Sequence, residues 1–221
     1  MDFDKFEERQ KMNVEELSLR KLKEAFPTLI GADELKRMKI PKLDWFIPDL
    51  VPVGLSILGG PKKLGKSYLV LQFCQDIIAD GGKVFYFAGE DTNALQKDRH
   101  KILNFEDTKN FQYHPGRHGQ FASPQAFRSK VEQMLDVHRF DVIFIDTMNM
   151  ALTPQGLTPH RSDDYSYYAS ELRLWAELAV KHNVGIFMVH HTGKAAHQHY
   201  PDPLDHLLGS TAITATADWV L

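Results

Sequence analysis

From residue 55 onward the chain alternates short apolar runs with longer stretches of helical spacing. Residues 55–58, 84–88, 111–113, 142–145, 186–190 and 219–221 are of strand length and rich in β-branched and aromatic side chains. Between them, residues 66–79, 94–104, 124–138 and 163–182 predict helices; in the last, Leu172, Trp175, Ala176 and Ala179 recur on one face. Gly81-Gly82 and His182-Asn183 supply helix stops. Strands this apolar, alternating with helices, predict an α/β fold: a mostly parallel sheet flanked by helices on both faces.

Upstream of residue 55 the pattern changes. The first forty residues carry nine Lys/Arg and nine Asp/Glu. Asn13-Val14-Glu15-Glu16 reads as a helix N-cap with a Glu at the third helical position. It predicts a helix to Phe26, stopped by Pro27, and a second over residues 32–39 before Pro41. Residues 1–40 are thus expected to form an N-terminal helical extension, and residues 41–221 the main domain. The extension has two readings, a solvated decoration of the core or an arm that docks on a neighbouring subunit. Pro41, Pro48 and Pro52 then mark an irregular approach. Its Trp45-Phe46 pair has two readings, cover for a nucleotide base or an anchor of the loop to the core.

The chemistry gathers where predicted strands end. The run Leu55-Ser56-Ile57-Leu58 leads into Gly60-Pro61-Lys62-Lys63-Leu64-Gly65-Lys66-Ser67, which matches G-x-x-x-x-G-K-[ST], and Tyr68 continues into a helix. Strand, glycine loop and helix start put backbone N–H groups around a polyphosphate. Gly60 through Tyr68 are therefore the expected ATP-binding stretch. Lys66 is expected to reach the β- and γ-phosphates, and the Ser67 hydroxyl to hold Mg²⁺. Leu64 is bulkier than the small residue common before Gly-Lys-Ser and is a candidate to narrow the loop.

In a parallel sheet of this kind ligands sit at the carboxyl ends of the strands. Residues 84–88 end at Gly89-Glu90-Asp91, residues 142–145 at Asp146-Thr147, and residues 186–189 at His190-His191-Thr192-Gly193-Lys194. Asp146 after four apolar residues is the expected second Mg²⁺ ligand, through water. Thr147, not an acid, follows it, so the carboxylate that orients the attacking water must come from elsewhere. Glu90 is the better candidate and Asp91 the alternative; either could instead cap the helix starting near Thr92. Neighbours on a strand point to opposite faces, so one of His190 and His191 faces the nucleotide. A zinc site using His197 and His199 ranks low, because no Cys or carboxylate pattern completes it.

A net charge of −3 gives no global case for nucleic-acid binding, so any such contact must be local. Candidates for single-stranded DNA are residues 109–120, with Lys109, Phe111, Tyr113 and Arg117, and residues 194–206, beginning at Lys194. Cys74 is the single cysteine; it falls in the apolar pattern of its helix and is expected in the core. No stretch predicts a membrane span or signal peptide, which gives the expectation of a cytoplasmic protein.

The phosphate loop, Ala88-Gly89-Glu90-Asp91-Thr92, Phe144-Ile145-Asp146-Thr147, Val189-His190-His191-Thr192-Gly193-Lys194 and Leu208-Gly209-Ser210-Thr211-Ala212 together resemble a RecA-type P-loop ATPase. They are most similar to the RepA-like branch of hexameric replicative helicases of plasmids and phages. The resemblance covers roughly residues 40–221. It implies a RecA-like core with the strand of residues 186–190 between those of the phosphate loop and of Asp146. It implies ATP and Mg²⁺ as cofactors, Glu90 as the water-activating residue and His191 as the γ-phosphate sensor. It also implies a homo-oligomer, a hexameric ring with ATP at subunit interfaces. Relatives continue past the position of Leu221 with strands that carry an arginine finger; the finger is expected to be missing here or replaced by Lys194. The expected function is an Mg-dependent ATPase motor on DNA, a RepA-like helicase. The rivals are a recombination or repair ATPase that does not unwind, and an ATP-switched regulator.

Overall fold

The computed structural model describes residues 16, 18–39, 45–105, 109–116, 121, 123–152, 164–192 and 211–221. The chain divides into two compact units, Met1–Lys42 and Leu43–Leu221. In the first, residues 18–25 are helical (α1), and α2 spans Ala32–Arg37. The cap expected at Asn13 lies outside the described residues. The second helix is two residues shorter than expected, since Met38 turns to extended backbone.

The second unit holds a six-stranded parallel sheet in the order β5-β4-β6-β7-β3-β8. The strands are β3 (Gly54–Leu58), β4 (Val84–Ala88), β5 (Phe111–Pro115), β6 (Val142–Asp146), β7 (Gly185–Val189) and β8 (Trp219–Val220). As the resemblance implied, β7 lies between β3 and β6. The connecting helices are α3 (Lys66–Ala79), α4 (Asn93–Ile102), α5 (Pro124–Val137), α6 (Met148–Leu152), α7 (Asp164–His182) and α8 (Thr211–Thr216). α5 starts on Ser123, whose hydroxyl accepts from Ala126 N at 3.1 Å, with Pro124 at the first helical position.

Period-two alternation sorts the central strands between two cores. Ile143 and Ile145 of β6 join Leu55, Ile57, Ile186 and Met188 against α5, α6 and α7. Val142 and Phe144 face the other way and join Phe187 and Val189 against Val70, Leu71, Cys74 and Ile77 of α3. Both faces of the sheet are covered, which is why these strands read as continuous apolar runs. Cys74 is fully buried there, as expected, and burial pushes its thiol well up.

The proline-rich approach is not irregular. Trp45–Ile47 (β1) and Val51–Pro52 (β2) pair as an antiparallel ribbon. Pro48 and Asp49 form its turn, closed by Leu50 N donating to Ile47 O at 3.0 Å, with Asp49 at φ 59°. Proline suits the first central position of such a turn, and Asp tolerates the left-handed second. The three prolines exclude a helix here but not a short ribbon at the margin of the fold.

Edge strand β8 is fastened by Asp218, whose Oδ2 accepts from Leu55 N at 2.8 Å while its own N–H donates to Leu55 O at 2.9 Å. Gly54 permits this: its φ is 115°, and an added Cβ would sit 2.7 Å from the Asp218 carboxylate.

Trp175 of α7 is fully buried against Phe127 of α5, with ring centroids 5.6 Å apart. Trp175→Ala should cost about 3–5 kcal/mol, the usual range for an aromatic cavity. Urea denaturation reads it; a loss below about 1 kcal/mol would show that this core collapses around the gap.

Candidate nucleotide site

The carboxyl ends of β3, β4, β6 and β7 meet at a pocket of about 370 Å³. Its lining includes Lys62, Lys63, Gly65, Lys66, Ser67, Tyr68, Glu90, Asp91, Arg99, Asp146, Thr147 and His191. The loop after β3 owes its curl to two left-handed residues, Lys63 at φ 64° and Gly65 at φ 94°. Gly65 is the N-cap of α3 and offers no side-chain cap. Tyr68 N and Leu69 N donate to Gly65 O, which leaves the N–H groups of Lys66 and Ser67 at the helix start available to an anion. Leu64 is 68% exposed, so it does not narrow this loop.

Lys66 is buried and folds back over the loop, donating to Gly60 O at 2.7 Å and Pro61 O at 2.8 Å. Burial lowers its pKa, opposed by the charges of Asp146 and Glu90. Its Nζ lies 3.2 Å from His191 Nδ1. His191 is held in place because its neighbours extend the β7–β3 ladder: His190 N donates to Leu58 O at 2.8 Å and Thr192 N to Gly60 O at 3.1 Å. Alternation then turns His191 toward the pocket, while His190 is buried away from it. Burial, then the charge of Lys66, pushes the His191 pKa down.

Asp146, at the end of β6, is 6% exposed. Its Oδ2 accepts from Ser67 Oγ at 2.5 Å and from Tyr86 OH at 3.0 Å. Burial raises its pKa, and the two hydrogen bonds oppose the rise. Burial also keeps Tyr86 protonated, so the phenol remains a donor. A buried carboxylate beside a serine hydroxyl, next to an anion-binding helix start, is a donor set of hard oxygens that fits Mg²⁺.

Glu90 and Asp91 have different surroundings. The Glu90 side chain is 55% exposed; it accepts from Thr147 Oγ1 at 3.2 Å and lies 4.0 Å from His191 Nε2. Asp91 is buried, and its Oδ2 accepts from Gln96 Nε2 at 2.7 Å and from Arg99 Nη1. That carboxylate is already committed, which counts against the Asp91 alternative. Neither acid caps α4; Thr92 does, accepting from Leu95 N at 3.3 Å.

Two groups at the site escaped the sequence reading, Tyr86 beneath Asp146 and Arg99 in the pocket wall. Tyr86 lies in a run that reads simply as apolar strand. Arg99 sits two helical turns beyond Asp91, its guanidinium 5.5 Å from the Tyr68 ring centroid. Gln96 and Arg99, three apart on α4 and just after Asp91, were the available signal. Together Arg99 and Tyr68 offer a flat cationic and aromatic surface at the pocket wall.

Other expectations fall elsewhere. Trp45 packs edge-on against Trp219 at 5.1 Å, and Phe46 packs on the α3-side core, so neither covers the pocket. They anchor the ribbon. Residues 109–120 are not one loop, because Phe111–Pro115 is the edge strand β5 and separates Lys109 from Arg117. Lys109 thus lies at the sheet edge away from the phosphate loop. Arg117, Lys194, His197, His199 and Leu208 through Ser210 lie outside the described residues. Among the described residues no helix is long and apolar enough to cross a membrane.

Removing Arg99 leaves the Asp91 carboxylate buried with only Gln96. Arg99→Met should lose about 3 kcal/mol, and adding Asp91→Asn should restore most of it. Denaturation of the three variants checks the coupling; additive losses would refute it. His191 predicts a pH effect. Its folded value lies below the ordinary 6.5, so its contribution is complete above 6.5 and is lost as pH falls through the depressed value. His191→Asn should flatten part of the acid limb of stability against pH. An unchanged limb would remove His191 from that account.

The geometry has counterparts. The chain is similar to the DNA repair protein RadA of Chlamydia trachomatis, 24% identical over 155 residues, 70% of this chain and 31% of the relative. It is similar to the DNA repair protein RadA of Streptococcus pneumoniae, 27% identical over 161 residues, 72% of this chain and 35% of the relative. The chain thus spans about a third of the length of these curated relatives. Among solved structures it is similar to an ATPase domain, with a TM-score of 0.57 and 14% identity over 76% of this chain and 68% of that one. That likeness is one of fold, and the fold is the RecA-like P-loop ATPase fold. The family model described as an AAA domain matches residues 21–197, which include the phosphate loop, Glu90, Asp146 and His191. With that match over most of its length, this chain belongs to the AAA domain family.

Proposed function

We propose that the chain is an Mg²⁺-dependent ATP-hydrolysing motor that acts on DNA, of the RepA-like helicase type, working as a ring-shaped homo-oligomer. The observation that carries the hydrolytic part is the convergence of Lys66, the Ser67–Asp146 pair, Glu90 and His191 in one pocket. The likeness to a solved ATPase domain supports the same part, and the RadA relatives support the direction toward DNA.

The residues divide the work. The N–H groups at the start of α3 and the Lys66 ammonium bind the β- and γ-phosphates. To do so Lys66 exchanges the carbonyls of Gly60 and Pro61 for phosphate oxygens. Ser67 and Asp146 would hold Mg²⁺, which neutralises charge on the phosphates. Glu90, exposed at the pocket mouth, orients water and accepts its proton as the new bond to the γ-phosphorus forms. The bond to the β-phosphate oxygen breaks, giving ADP and phosphate. His191, within reach of both Lys66 and Glu90, is placed to respond when the γ-phosphate leaves. Lys194 follows His191 by three residues, as the trans-acting cation or a DNA contact. Lys109 and Arg117 enter as DNA contacts.

A second reading shares the chemistry: a repair ATPase that assembles on DNA without unwinding it. The RadA relatives favour it. Strand displacement on a forked duplex separates the two.

Glu90→Gln should retain Mg–ATP binding and lose ~10²–10⁴-fold in turnover, because the amide cannot accept the proton. Wild-type turnover should rise with single-stranded DNA. Unchanged hydrolysis in Glu90→Gln would remove Glu90 from the reaction. Turnover indifferent to DNA, with no DNA affinity, would point to an ATP-switched regulator instead.

A further inference from the structure

A second groove opens at the amino-terminal edge of the sheet, away from the phosphate loop, with a volume of about 510 Å³. Three separate connections bring three cations to it, Lys83, Lys109 and Arg139, with His138 beside the last. Lys83 precedes β4, Lys109 precedes β5, and His138 and Arg139 link α5 to β6. All four are exposed. Among the described residues, no ion pair engages any of these side chains. Among the described residues, the acids of α5 and of the start of β6 have other partners than these side chains. Asp141 accepts from the backbone N–H of Lys83 at 2.8 Å, Glu132 pairs with Lys181 at 2.7 Å, and Asp136 lies 3.8 Å from His182. In a chain of net charge −3, this local excess of cations is not background.

The floor is aromatic. Phe85 and Phe140 lie 5.8 Å apart, Phe140 buried and Phe85 half-buried in the groove wall. Cations around a partly open aromatic surface match the two halves of a nucleotide unit, phosphate and base. An acidic peptide would use the cations and leave the aromatic floor without a partner. A neutral ligand would leave the cations without one. The volume lies within the ~300–1,000 Å³ of small-ligand sites, room for a short run of bases but not for a duplex.

We propose that this groove is a binding site for single-stranded nucleic acid, separate from the nucleotide pocket. The choice of ligand rests on the DNA-directed reading above, whereas the anion site rests on the groove alone. The cations hold the phosphates, and Phe85 offers its exposed face to a base.

Fluorescence anisotropy of a labelled oligothymidylate, across a potassium chloride series, tests this on the whole chain. Lys83→Glu/Arg139→Glu should weaken binding at least ~tenfold and reduce the log–log salt slope by roughly 1.4, two single-strand phosphate contacts. ATP turnover without DNA should be unchanged, since neither residue touches the pocket. Phe85→Leu should weaken binding several-fold and leave the salt slope alone. Wild-type binding with no loss in the double variant would overturn the groove and leave the DNA reading standing. No wild-type binding would overturn both. Displacement of the oligonucleotide by polyglutamate at equal charge concentration would show an acidic protein segment to be the occupant, and would also overturn the proposal.

Discussion

A carboxylate nearly out of water is costly unless hydrogen bonds or a cation compensate it, and Asp146 is such a group at the end of β6. Its compensation comes from two other elements, Ser67 at the start of α3 and Tyr86 on β4. One oxygen therefore fixes where the phosphate-loop helix begins relative to two strands of the sheet. The two hydrogen bonds are not enough to return Asp146 to ordinary acidity; burial still holds its pKa up. The site thus has an unmet demand for positive charge beside a helix start that attracts negative charge. A metal–triphosphate pair answers both demands at once, which neither ion does alone.

The same economy explains the division between Glu90 and Asp91. Adjacent residues after a strand point to different surroundings, and here one is sealed while the other meets solvent. Asp91 is fixed by Gln96 and Arg99 and adds its negative charge to the field that raises the Asp146 pKa. Glu90 remains exposed, where water can reach it. A base that must take a proton from water is better placed at the mouth than under it. Histidine follows suit: the ladder that continues from β7 past Leu58 to Gly60 holds His190 inside and delivers His191 to Lys66 and Glu90.

Much of this was legible because period and position carry it. Val84–Ala88 and Lys66–Ala79 match the sequence reading residue for residue, since a doubly covered strand is apolar throughout and a phosphate-loop helix has a fixed start. The ribbon of Trp45–Ile47 with Val51–Pro52 was not read, because two- and three-residue strands have no period to detect. Tyr86 was hidden by its own hydrophobicity: in a buried strand a tyrosine looks like any aromatic until its hydroxyl meets Asp146. Arg99 was hidden by the opposite property, since on the polar side of α4 it resembles a solvated charge. Residues 109–120 misled because β5 is an edge strand. Residues 111–113 already read as a strand, but only the pairing with β4, which carries it on to Pro115, shows that its two ends lie at opposite edges of the sheet.

Those two edges are joined by β4, Val84–Ala88, and β6, Val142–Asp146, five residues each, or roughly 17 Å of fully paired strand. At the amino-terminal edge they are tied to each other twice, by Lys83 N to the Asp141 carboxylate and by Asp141 N to Lys83 O, both at 2.8 Å. At the carboxyl-terminal edge they are tied again, through Tyr86 to Asp146 and Thr147 to Glu90. Lys83 and Arg139 adjoin the pair of strands that end beside Glu90 and at Asp146. Parallel strands buried on both faces resist bending, so a small shift at one end has few places to go except the other. The groove and the pocket share β4: Phe85 lines the one, and the strand end delivers Glu90 to the other.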